Sequence, residues 1–155
     1  MYAPTDKWLK LASQYARENS GCLKVAVGAV IVKDNKLISI GANRTIPDFC
    51  KTSRGCLRVE KYGENSKLHR NPEDCRAIHS EIDAISTAGQ PLTGATIYVT
   101  RYPCEGCAKA IVAAGISKVI YGRNQKITPA TEQILDSAGV DIHNYIRWQE
   151  EDILT

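Results

Sequence analysis

Apolar residues near the start of the chain recur at helical spacing. Trp8, Leu9, Leu11, Ala12, Tyr15 and Ala16 share one face, and Gly21 stops the run. Residues 25–32 form an apolar, β-branched stretch that predicts a buried strand. The polar turn Lys33-Asp34-Asn35-Lys36 follows, and residues 37–40 pair back as a hairpin. Beyond residue 75 helices and strands alternate. Helices are predicted over 77–88 and 105–114, ended by Gly89 and Gly115, and strands over 95–100 and 119–121. Thr128 caps a further helix with Pro129 at its first position and Gly139 at its end, and residues 140–146 form a last strand. The order α-β-β-α-β-α-β-α-β predicts an α/β protein, a three-layer α/β/α arrangement around a mixed five-stranded sheet.

Residues 43–75 break this pattern. They are rich in Gly, Pro, Asn and charge, and a loop of that length inside a compact domain is functional or needs its own staple. The 155 residues otherwise fit one domain, 1–155, with this segment as a Cys-rich insertion. Hydrophobic residues make up 43% of the chain and charged residues 24%, as in soluble globular proteins. No stretch has the apolar length of a membrane span, and the first residues lack the basic and apolar regions of a secretory signal. A cytoplasmic location without membrane partners is the expectation. Net charge is +3, and residues 44–76 hold eight Lys/Arg against five Asp/Glu, which accounts for all of it. A local surplus of this size suits a small anionic ligand better than a stable complex with a long polyanion such as nucleic acid.

Six cysteines fall in or beside two clusters. Without a secretory signal, metal ligation is the better reading than disulfides. One cluster joins His79-Ser80-Glu81 to Pro103-Cys104-Glu105-Gly106-Cys107, each at the start of a predicted helix. Cys104 and Cys107 are three apart, so their sulfurs share a face, and a helix N-terminus favours the metal-binding thiolate. His79, Cys104 and Cys107 give three ligands, which leaves a fourth position on zinc for water, as in catalytic sites. Glu81, unligated and nearby, is the candidate catalytic proton shuttle. A purely structural zinc clip beside an unrelated Glu81 is the bland alternative.

His-x-Glu followed in order by Pro-Cys-x-x-Cys is the signature of the zinc nucleobase deaminases. On these motifs the chain resembles the cytidine deaminase superfamily over nearly its whole length. Within it the sequence is similar to the deoxycytidylate deaminases. Cys22 precedes Val27-Gly28-Ala29-Val30, then come Gly41-Ala42-Asn43-Arg44, Cys50, Gly55-Cys56 and Cys75-Arg76-Ala77-Ile78-His79. The stretch from Ala108 through Gly115-Ile116 to Val119-Ile120-Tyr121 is also similar. The resemblance implies hydrolytic deamination of dCMP to dUMP with release of ammonia, through zinc-activated water and Glu81. It implies that Asn43 bonds the sugar, that Tyr121 lines the substrate pocket, and that Ser80 and Tyr102 are also substrate-binding residues. It further implies a homohexamer and dCTP or dTTP effectors, with Mg2+ accompanying the triphosphate. Ala42 and Arg44 depart from the usual Tyr and Gly of the effector turn, Ser80 replaces the commoner Ala, and Arg101 and Tyr102 replace the usual residues before Pro-Cys. On their residue types alone, Asn43 also suits a turn and Tyr121 a core strand end.

Cys22, Cys50, Cys56, His69 and Cys75 form the second cluster. Four of these five would make a closed, structural zinc site that pins the insertion, with Cys22, Cys50 and Cys75 the first choices. Buried free cysteines packed as small hydrophobes are the alternative. Two further functions compete with the mononucleotide reading: a transfer-RNA adenosine deaminase, which needs a broad basic groove, and an inactive nucleotide-sensing zinc module, which has no use for Glu81.

Overall fold

The structure is a computed structural model that describes residues 3–22, 25–45, 56–67, 75–123 and 128–145. Helix α1 (Ala3–Asn19) leads into the hairpin of β1 (Gly28–Lys33) and β2 (Lys36–Ala42). Asp34 and Asn35, at φ 51° and 59°, form the tight turn, because paired positive φ values match the twist of the two strands. Then follow α2 (Leu57–Tyr62), a 3-10 turn (Gly63–Lys67), α3 (Ser80–Ser86), β3 (Thr96–Arg101), α4 (Glu105–Ala113), β4 (Lys118–Arg123), α5 (Pro129–Ser137) and β5 (Asp141–Asn144). The strands form one sheet in the order β2-β1-β3-β4-β5. β1 runs antiparallel to both neighbours, and β3, β4 and β5 run parallel.

Strand alternation divides the core between two faces. Val30, Val32, Tyr98 and Ile120 point to α1 and pack on Trp8, Leu9 and Ala12. Ala29, Ile31, Ile97, Val99, Val119 and Tyr121 point the other way, against Ala84 of α3, Ala108 and Ile111 of α4 and Leu135 of α5. The mixed five-stranded sheet therefore has helices on both faces, the three-layer α/β/α arrangement that the pattern of elements predicts. Thr128 accepts a hydrogen bond from the Thr131 backbone, and Pro129 opens α5, also as predicted.

Several elements differ from the sequence expectation. Residues 25–27 are not strand: the Asn43 side chain accepts from Val27 N and donates to Val25 O, which satisfies backbone groups a strand partner would otherwise take. Residues 77–79 are not helix, because Ile78 and Arg44 exchange backbone hydrogen bonds across a short bridge and hold this stretch extended. The insertion contains α2, which buries none of its residues and so carries no apolar stripe to betray it. Its anchorage includes an ion pair from Glu60 to Arg76 at 3.5 Å. The last strand covers Asp141–Asn144, so residues 140 and 145 of the expected 140–146 lie outside it, and residue 146 lies outside the described residues.

Gly41 brings the site to the sheet. A side chain there would collide with the Ser80 carbonyl and the Ala84 amide, so only glycine lets α3 lie this close to β2.

Candidate active site

The site is built where two extended segments turn into helices. His79 is the N-cap of α3 at φ −66°, ψ 149°, and its carbonyl accepts the first helical bond from Asp83 N. Cys104 is the N-cap of α4 at φ −78°, ψ 172°, and Cys107 lies in the first turn of the same helix. β3 delivers Cys104, and α3 is seated by Gly41, so the two helix starts face each other. His79 Nδ1 lies 3.4 Å from Sγ of both Cys104 and Cys107. One ligand atom from each of the three falls within 4.8 Å of the others, the one such cluster among the described residues.

The crowding of these groups shifts their protonation. Cys104 is lowered to about 4, chiefly because the Cys107 thiol donates to its thiolate, with His79 adding to the effect. Cys107 moves the opposite way, because it is the donor to Cys104 and is buried. His79 is raised to about 10, first by its hydrogen bond to Cys104 and then by one to Cys75. The cluster thus holds a thiolate and two protons that a divalent cation would displace. One imidazole nitrogen and two sulfurs at these separations suit zinc in its three-ligand, catalytic form.

Glu81 is buried beside the cluster and accepts a hydrogen bond from Ser80 Oγ at 2.6 Å. The extended His79 lets a residue only two positions on reach the same pocket. Asp83, one turn into α3, is also buried; it accepts from Ala42 N at 3.1 Å and pairs with the guanidinium of Arg44. This pair ties the end of β2 to the ligand-bearing helix. Tyr102 and Tyr121 are both buried, with ring centroids 4.9 Å apart, edge to face. The Tyr102 hydroxyl is buried and has no hydrogen-bond partner among the described residues. Burial raises both phenols, and the charge of Glu132 adds to this.

The structure therefore brings together His79, Cys104, Cys107, Glu81 and Ser80. Asn43 is buried at the end of β2, its Oδ1 accepting from Val27 N and from Ser20 Oγ. Of the second cluster, Cys50 and His69 lie outside the described residues. Cys22, Cys56 and Cys75 are described and form no three-residue ligand group. Cys75 lies against His79, whose hydrogen bond holds its thiol below the ordinary range. Sequence reasoning missed this contact and the Arg44–Asp83 pair. Arg44 stood out only as a departure from a turn motif, and nothing near it in the chain pointed to Asp83.

The mixed sheet, with a histidine and a cysteine each capping a helix above a buried glutamate, defines a cytidine deaminase-like domain. Residues 4–144 match the MafB19-like deaminase family. The chain is 36% identical over 127 residues to the ComE operon protein 2 of Bacillus subtilis, covering 79% of this chain and 61% of that protein. It is 30% identical over 159 residues to the deoxycytidylate deaminase of Enterobacteria phage T4, covering 82% of each. A crystal structure of the dCMP deaminase of cyanophage S-TIM5, in complex with dCMP and dUMP, superposes with a TM-score of 0.68 at 25% identity, over 90% of this chain and 94% of that one. The chain belongs to the MafB19-like deaminase family and, within the cytidine deaminase superfamily, groups with the deoxycytidylate deaminases. It spans about half the length of several curated relatives that it matches.

Proposed function

We propose that the protein is a zinc-dependent hydrolase that converts dCMP and water to dUMP and ammonia. The observation that carries this reading is the convergence of His79, Cys104 and Cys107 on one point with Glu81 buried beside them. The phage T4 and cyanophage S-TIM5 proteins, named for activity on deoxycytidylate, support the choice of substrate.

His79 Nδ1 and the sulfurs of Cys104 and Cys107 would hold the metal. Zinc in such a site supplies a nucleophile at neutral pH by lowering the pKa of bound water to about 7. The Glu81 carboxylate accepts one proton of the attacking water and passes it to ring N3. The water oxygen bonds to C4, Glu81 takes the second water proton, and it delivers that proton to the exocyclic amine as the C4–N bond breaks. Both protons of water are then accounted for, one on N3 and one on the departing ammonia. Burial shields Glu81 from bulk water, so the protons it carries stay with the substrate.

Tyr102 and Tyr121 offer aromatic surface for the base. Asn43 keeps one amide hydrogen beyond its bond to Val25, and that hydrogen is its remaining means of reaching the sugar. The cations of the 43–75 segment supply charge for the phosphate.

The test is release of ammonia from dCMP, CMP, dCTP and deoxycytidine by zinc-loaded protein. dCMP is expected to be turned over best. Deoxycytidine turned over as efficiently as dCMP would overturn the nucleotide reading.

A further inference from the structure

Ser80 has no exposed surface, and its Oγ lies 2.6 Å from Glu81 Oε1. A serine hydroxyl has one proton to donate, and here the carboxylate receives it. Ser80 is the first residue of α3, so no helical carbonyl lies four residues before it to accept its hydroxyl. Its donation to Glu81 is therefore not a by-product of helix geometry. The backbone side of Ser80 is fixed as well, since its carbonyl packs against Gly41 of β2.

We propose that Ser80 is a positioning residue for the reaction assigned above: it tethers Glu81 Oε1 and fixes the carboxylate beside the metal ligands, with Oε2 assigned to carry protons. This inference rests on the deaminase reading of the site. A glutamate side chain turns about three bonds, and a shuttle that serves the water, N3 and the amine must hold one place through all three transfers. The tether removes that freedom.

The experiment compares wild type with S80A and S80T, all loaded with zinc. For S80A, kcat on dCMP falls about tenfold, a loss of about 1.4 kcal/mol of transition-state stabilisation. KM stays within about twofold, as expected when only the transition state is affected. Zinc content and melting temperature are unchanged. S80T, which keeps the hydroxyl, recovers most of kcat. Crystal structures supply a readout that needs no turnover: Ser80 Oγ bonds Glu81 in wild type, and in S80A the carboxylate leaves that position. An unchanged kcat in S80A overturns the proposal, and so does a fall accompanied by loss of zinc or of melting temperature. A wild-type crystal structure with Ser80 Oγ out of hydrogen-bond reach of Glu81 overturns it too. If wild type does not deaminate dCMP, the substrate reading fails, and the crystal comparison still decides the tether.

Discussion

His79 and Cys104 open helices that pack on the sheet, whereas Cys56 opens α2, and Cys22 and Cys75 lie on stretches of chain outside the helices and strands. The difference lies in what holds each set. At the first, β3 and α4 pack into the core through Val99, Ala108 and Ile111, and α3 is seated on β2 through Gly41, Ala84 and Asp83. The ligand atoms are placed by the same burial that stabilises the domain. Around the second, α2 buries none of its residues and is joined to residue 76 by an ion pair at half-exposed side chains. A catalytic site needs ligands held before substrate arrives, and here those ligands are on the region with the better packing.

Glu81→Gln tests that contrast with the largest expected effect. The amide keeps the shape and its bond to Ser80 but cannot carry protons. A general acid–base group contributes about 10²–10⁴-fold, so turnover should fall by at least that much while zinc content is retained. Zinc lost together with activity would make Glu81 a ligand. Next is Asp83→Ala. It strands the buried Ala42 amide and the Arg44 guanidinium, which should cost about 1–3 kcal/mol in a denaturant melt. Asp83→Asn, which still accepts from Ala42, should recover part of that loss. A neutral Asp83→Ala would mean that α3 is not held to β2 in this way. The smallest effect belongs to the insertion: Glu60→Ala removes an exposed partner of Arg76 and should change stability by less than about 1 kcal/mol. A loss as large as that of Asp83→Ala would show that the insertion is built into the core and would dissolve the contrast.

Displacement of protons sharpens the same point. Cys104 is already a thiolate near neutral pH, with its value lowered to about 4, while His79, raised to about 10, and Cys107 both retain protons. Zinc binding near pH 7 should therefore release about two protons, and affinity should strengthen as pH rises. Calorimetry in buffers of different ionisation enthalpy counts them directly. A release near zero would contradict the protonation of the cluster.

The His79, Cys104 and Cys107 cluster was legible because its spacing is local. Cys104 and Cys107 lie on one turn, and His79 and Glu81 flank one helix start, so few long-range contacts were needed to name them. The strand pattern placed the sheet for a similar reason: residues such as Val30 and Ile31 alternate between two buried faces. What escaped depends on contacts between distant segments. The helix predicted from residue 77 begins at Ser80 because Arg44 competes for the backbone of Ile78. The strand predicted from residue 25 begins at Gly28 because Asn43 takes the backbone groups before it. α2 lacks an apolar face and gave no periodic signal.

The most direct test of the account is anomalous diffraction at the zinc edge from crystals of the metal-loaded protein. The account predicts a peak bonded to His79 Nδ1 at roughly 2.0–2.1 Å and to Cys104 and Cys107 Sγ at about 2.3 Å, with Glu81 nearby but unbonded. No peak among these three atoms, or a peak with Glu81 as a direct ligand, would contradict it.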